Sequence, residues 1–286
     1  EHLFVIEKWE INFGVRYKYN YLTLSEESFQ KENYNLDLLN MGIPGTGPRE
    51  YFSQFMGEGL ELKPDMLLLS FYIGNDFNES FRDYLDENGN LIDPKKEKWF
   101  KKSYLFTFFH YFLTIQTKFE GNIFNGLTEY CDECPNFEEE RFLEIVSFNR
   151  ENFSPNNVLL PAMIDKAFKY IEQINEICRK QNIKFRVVII PEEVQVSSKF
   201  GTFLFNKYQK YYKDRNWDME LPNKIFRSKL DSLGIKYLDL YPIMKNHPKS
   251  DFLYKPRDTH WNILGNQIAS DEIKKFIQED IPLNRK

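Results

Sequence analysis

Between Ile164 and Pro191 the chain reads IDKAFKYIEQINEICRKQNIKFRVVIIP, and this stretch decides the fold class. Ile164, Ala167, Phe168, Ile171, Ile174, Ile177 and Cys178 recur at steps of three and four, one apolar stripe along a helix. Gln181-Asn182 ends the pattern. Phe185-Arg186-Val187-Val188-Ile189-Ile190 follows at once and is stopped by Pro191. A nearly continuous apolar run of that length suits a strand buried on both faces, as in a parallel sheet covered by helices on its two sides.

The same alternation extends in both directions. Leu3-Phe4-Val5-Ile6, Asp37-Leu38-Leu39-Asn40 and the run from Met66 through Phe71 are strand-like, as is Lys236-Tyr237-Leu238-Asp239-Leu240. Pro222 opens a helical pattern that Gly234 closes. Leu264, Ile268, Ala269, Ile273, Phe276 and Ile277 form a second stripe near the C-terminus. Ser25, followed by Glu26 and Glu27, reads as a helix N-cap and first turn. Strand alternating with helix implies right-handed βαβ units. The expected fold is α/β, a three-layer α/β/α domain around a central, mostly parallel five-stranded sheet. One domain is expected over residues 1–286. A helical, aromatic-rich insertion at 77–161 and a smaller one at 199–221 interrupt it.

Composition narrows the function classes. A chain of 286 residues with 42% hydrophobic content can bury a full core. A net charge of -5 argues against general nucleic-acid binding. The longest apolar runs are strand-length, short of the roughly 20 residues of a membrane span. Glu1 to Ile6 shows no signal-peptide pattern and the first residue is not Met, so a bacterial cytoplasmic or an exported location both stay open. Cys178 sits on the apolar stripe as a small hydrophobe. Cys131 and Cys134 form Cys-Asp-Glu-Cys with no further ligand pair nearby, which leaves a local disulfide or two separate thiols rather than a zinc site.

Ligands of open α/β sheets bind beyond the C-terminal strand ends, and three polar features fall there. Asn40-Met41-Gly42-Ile43-Pro44-Gly45-Thr46-Gly47 follows the second strand, and Gly74-Asn75-Asp76 follows the third. Asp258-Thr259-His260 stands just before the last helix. Each alone is an ordinary turn signal. In this order the set resembles the SGNH (GDSL-like) hydrolase and esterase superfamily, over about 36–275 apart from the insertions. Gly45 matches that family's loop glycine, with Gly42 as the alternative. Asn75 matches the turn asparagine, and Asp258 and His260 match the acid and base. The Trp261-Asn262-Ile263-Leu264-Gly265 run and Ile190-Pro191 add context.

The resemblance implies a flavodoxin-like SGNH fold and an ester hydrolase or O-acyltransferase. His260 would move the proton, Asp258 would orient it, and Gly45 and Asn75 would form the oxyanion hole. It implies neither a metal nor an organic cofactor. The partners it implies are a small acyl ester or an O-acylated carbohydrate, with no nucleic acid.

One family mark is missing: no Gly-Asp-Ser occurs in the chain. With Phe13-Gly14-Val15 as the step into the first helix, the nucleophile position falls near Lys8 or Trp9, so the nucleophile is unknown. A serine upstream of Glu1, a degenerate site and an error within residues 1–10 are the three readings. The rival class is a catalytically inactive binding module for an acylated glycan or lipid. A phosphate-binding loop at Gly42–Gly47 lacks the Lys-Ser/Thr pair and the glycine spacing it would need.

Overall fold

The computed structural model describes residues 2–6, 21–32, 34, 36–42, 46–78, 132–208 and 217–281. All belong to one compact unit built from 1–80 and 131–286. Residues 79–131 of the expected large insertion, and 209–216 of the smaller one, lie outside the described residues.

Strands β1 (His2–Ile6), β2 (Asp37–Asn40), β3 (Met66–Tyr72), β4 (Lys184–Ile190) and β5 (Lys236–Asp239) pair in the order β2-β1-β3-β4-β5. Every pairing is parallel. The expectation of an α/β fold with a parallel sheet is met. The long β3–β4 register, from Met66 opposite Lys184 to Tyr72 opposite Ile190, forms its centre.

Alternation along the strands sorts the core into two layers. Met66, Leu68 and Tyr72 of β3 join Val188 and Ile190 of β4 on one face. There they meet α1 (Tyr21–Lys31), α8 (Leu240–Lys245) and α9 (Ile263–Ile277). On the other face Phe71 stacks on Phe226 of α7 (Leu221–Ser232) at 4.3 Å. Phe168 of α4 (Leu160–Lys180) packs edge-on against the same ring. All seven residues of β3 are buried, each large apolar one stabilising the fold by roughly 1.5–3 kcal/mol. Arg186 breaks the apolar run of β4, and its guanidinium reaches Asp280 Oδ2 at 2.7 Å.

Helix α4 spans the predicted stripe, with Ile164, Ala167, Phe168, Ile171, Ile174 and Cys178 buried. Asn182, at φ 57°, reverses the chain, and Ile183 N–H donates back to Cys178 O at 2.8 Å. Burial pushes the Cys178 thiol up to about 12, so it packs as an inert hydrophobe. Cys134 is disulfide-bonded. Between 132 and α4 the chain forms α3 (Glu139–Asn149) and a short turn of 3₁₀ helix, Arg150–Phe153.

Ser25 differs from its expected role. Helix α1 starts at Tyr21, so Ser25 lies inside it. It is fully buried, and its hydroxyl donates to Ser270 Oγ of α9 at 3.2 Å. A tertiary partner replaces the cap that the local sequence suggests.

Helix α9 is seated by Gly265. A Cβ there would stand 2.4 Å from Leu253 O and 2.9 Å from Trp261 Cβ. Gly265→Ala is therefore expected to destabilise the fold by roughly 2 kcal/mol, read as a lower denaturation midpoint with an unchanged slope against denaturant.

Candidate active site

The strand order places a topological switch between β1 and β3, where ligands of such sheets bind. Three chain segments approach that end of the sheet: the loop after β2, the turn after β3, and a hairpin after α8.

In the loop after β2, Asn40 Oδ1 accepts the Gly42 N–H at 2.8 Å. Gly45, the expected oxyanion-hole glycine, lies outside the described residues, as do Lys8 and Trp9. At the start of helix α2 (Pro48–Gln54), the side chain of Glu50 reaches back so that its Oε2 accepts the Gly47 N–H at 3.1 Å.

The turn after β3 is fixed from several directions. Ile73 N–H donates to Ile190 O at 3.0 Å, tying it to the end of β4. Asn152 Nδ2 donates to Gly74 O at 3.1 Å. A Cβ on Gly74 would lie 2.4 Å from the Tyr72 ring, so a larger residue there would have to displace that buried ring. Asp76 is fully buried, and its Oδ2 accepts from Tyr72 N at 2.8 Å and from Tyr51 Oη at 3.2 Å. Asp76 thus holds the turn, as its position suggests, and Asn75 sits half-buried at the centre of that turn.

The hairpin carries the remaining expected residues. Its arms join at an antiparallel bridge between Tyr254 and Trp261. Lys255 N–H donates to His260 O, and Asn262 N–H to Leu253 O, both at 3.0 Å. Tyr254 Oη donates to Pro191 O at 2.8 Å, which anchors the hairpin to the end of β4. Asn262 Oδ1 caps α9 by accepting the Gly265 N–H at 2.9 Å. Arg257, at φ 50°, makes the turn at the tip.

Asp258 and His260 meet on this hairpin. Asp258 Oδ1 accepts the His260 backbone N–H at 3.1 Å and the ring Nδ1–H at 2.5 Å. The Asp258 side chain has no solvent exposure, whereas that of His260 keeps 23%. The imidazole is thus held by a buried carboxylate while part of it reaches solvent. With Nδ1 given to the carboxylate, proton exchange with a reactant falls to Nε2. Asp258 Oδ2 accepts from the Asn136 amide and faces Lys255 Nζ at 4.0 Å. Lys255 is itself buried, so the carboxylate has a cationic neighbour in low dielectric.

Four neighbours of this pair escape the sequence reading: Asn136, Lys255, Glu192 and Glu193. The two glutamates directly follow Ile190-Pro191 at a strand end, a position that is itself a signal. Glu192 is buried and its N–H donates to Gln195 Oε1 at 2.9 Å, starting the short helix α5 (Glu193–Val196), which α6 (Ser198–Lys207) follows. Glu193 Oε2 is out of solvent with no hydrogen-bond partner among the described residues. Burial, then the charges of Glu192 and Asp258, push its carboxyl up to about 8. Val194 beside it lines a small apolar cavity with Phe153, Leu204 and Trp217. At about 20 Å³ it has room for roughly one water.

No family model matches the chain, and no curated protein matches it by sequence. Solved structures do match. An acetyl xylan esterase aligns over 96% of this chain and 98% of its own, at a TM-score of 0.52 and 13% identity. A lipase/acylhydrolase from Enterococcus faecalis covers both chains fully, with a TM-score of 0.48 and 12% identity. A GDSL-like lipase from Bacteroides thetaiotaomicron covers 98% of this chain and 88% of its own, with a TM-score of 0.46 and 11% identity. At 13% identity, the likeness to the acetyl xylan esterase is one of fold alone.

Glu193 gives a pH-dependent stability of definite sign. Between about 4.5 and about 8 the folded chain keeps a proton on this carboxyl that the unfolded chain releases. Its favourable contribution is complete below that window and is lost as the pH rises through it. Urea unfolding across the window should show stability falling with pH, and Glu193→Gln should flatten that fall. An equal slope in both proteins contradicts the assignment.

Proposed function

We propose that this chain is an SGNH-type acyl hydrolase or O-acyltransferase whose proton-transfer pair is His260 and Asp258. One observation carries the reading. A carboxylate without solvent contact holds the Nδ1 of a solvent-reaching imidazole at 2.5 Å, on a hairpin anchored at a strand end. That is the arrangement a general base needs. Its tautomer is set by the carboxylate, its imidazolium is stabilised as it forms, and Nε2 is left for the reactant.

The steps follow from this pair. A nucleophile hydroxyl attacks the ester carbonyl while Nε2 takes its proton. The same proton then passes to the leaving alkoxide, and a covalent acyl intermediate remains. Water completes hydrolysis, or an acceptor hydroxyl completes transfer, and the two share all residues named. The Asn75 amide and the Gly45 N–H are the proposed oxyanion donors, each worth about 3 kcal/mol of barrier. Asn75 suits that role because Asp76, Gly74 and Asn152 already hold its turn, so little reorganisation accompanies the reaction. The nucleophile is unassigned. A small acyl ester or an O-acylated carbohydrate is the proposed substrate. The disulfide at Cys134 favours an oxidising compartment.

The absence of Gly-Asp-Ser from the sequence favours a second reading, an inactive module that binds an acylated ligand at the same residues. Reading the gene upstream of Glu1 shows whether a serine motif precedes this chain. In the esterase reading, p-nitrophenyl acetate turnover falls roughly 10³-fold or more in both His260→Ala and Asp258→Asn. If the native protein neither turns over that ester nor reacts with a fluorophosphonate probe, the enzyme reading is overturned and the binding module stands.

A further inference from the structure

The segment from Asp132 to Phe137 lies over the Asp258 hairpin and grips it at both ends. Asp132 Oδ1 accepts the Ile263 N–H at 3.1 Å, and Oδ2 accepts it at 3.2 Å, at the first residue of α9. Asn136 N–H donates to Pro256 O at 3.4 Å and Phe137 N–H to Arg257 O at 3.3 Å. Between these anchors, Asn136 Nδ2 donates to Asp258 Oδ2. Asn136 is otherwise exposed, and Cys134 in the same stretch is disulfide-bonded.

A carboxyl group rotates easily about its last bond, because that torsion has broad wells. Oδ1 of Asp258 serves the imidazole, so Oδ2 must be engaged elsewhere if the plane of the group is to stay fixed. Lys255 Nζ, at 4.0 Å, attracts Oδ2 without directing it. The Asn136 amide is directional. We infer that Asn136 is a positioning residue: it locks the Asp258 carboxylate so that Oδ1 holds His260 in the Nδ1–H tautomer. It acts through Asp258 and has no assigned contact with substrate. The segment Asp132–Phe137 is then a clasp over the working pair, supplied by a part of the chain far from it in sequence.

This inference rests on reading Asp258 and His260 as the working pair, so its test reads the imidazole rather than turnover. The ¹⁵N shifts of the His260 ring at alkaline pH give the ratio of Nδ1–H to Nε2–H tautomers in the full chain. In the native protein the Nδ1–H form dominates. Asn136→Ala is expected to lower the ratio roughly five-fold, and Asn136→Gln, which keeps the amide, to recover part of it. Asp132→Ala removes the carboxylate that accepts the Ile263 N–H and leaves Oδ2 of Asp258 untouched. It should lower the melting temperature and keep the ratio.

An unchanged ratio in folded Asn136→Ala overturns the inference. So does an equal loss in Asn136→Ala and Asp132→Ala, which marks general support of the hairpin. If Asn136→Ala fails to fold, Asn136→Gln and Asn136→Ser carry the same comparison: a lower ratio in the serine variant than in the glutamine variant supports the lock, and equal ratios overturn it. Absence of ester turnover in the native protein sinks the enzyme reading alone, because the tautomer ratio is measured without it.

Discussion

A carboxylate cut off from water is costly unless each of its oxygens is engaged, and the architecture around Asp258 answers that demand. One oxygen takes two donors from His260; the other takes the Asn136 amide and faces the Lys255 ammonium. The hairpin that brings these groups together is closed by the Tyr254–Trp261 bridge and tied to the end of β4 through Tyr254. The position of the imidazole thus descends from the sheet. The sheet sets where β4 ends, that end sets the hairpin, and the hairpin sets the carboxylate.

Carboxyl groups crowd this end of the sheet, with Lys255 as a buried cation among them. Glu192, Glu193 and Asp76 are drawn toward the same end of the sheet as Asp258. The phenols of Tyr72 and Tyr254 are pushed up by their burial, with nearby carboxylates adding to the shift. A second ionised carboxylate at Glu193 would oppose the charge on Asp258. Its raised proton affinity relieves that conflict and leaves Asp258 as the group that faces His260. Neighbouring carboxyl groups with separated protonation are a common way to divide roles in a site.

Much of the framework was legible in the sequence because it rests on periodicity. The stripe of α4 and the apolar run of β4 follow from side-chain geometry alone, and Asn182 closes the helix where the pattern stops. The polar turns after β3 and before α9 were legible by position, at strand ends and helix starts. What periodicity could not reach is long-range pairing. Ser25 carries a capping signal, yet its hydroxyl serves Ser270, 245 residues away. Asn136 stands 122 residues from Asp258 in a stretch without periodic pattern. Lys255 looks like any surface lysine until the fold buries it.

The contact between α1 and α9 has a consequence for how the protein is made. One face of the sheet is finished only when a helix from the start of the sequence meets one from its end, through Phe29, Ala269 and Ile273. During synthesis, Met66, Leu68 and Val188 have no complete cover until α9 has left the ribosome. Such late closure raises contact order and slows folding, and it leaves apolar strands open to mispairing in the meantime. The hairpin of Asp258 immediately precedes α9, so the Asp258–His260 pair and this wall of the core emerge together.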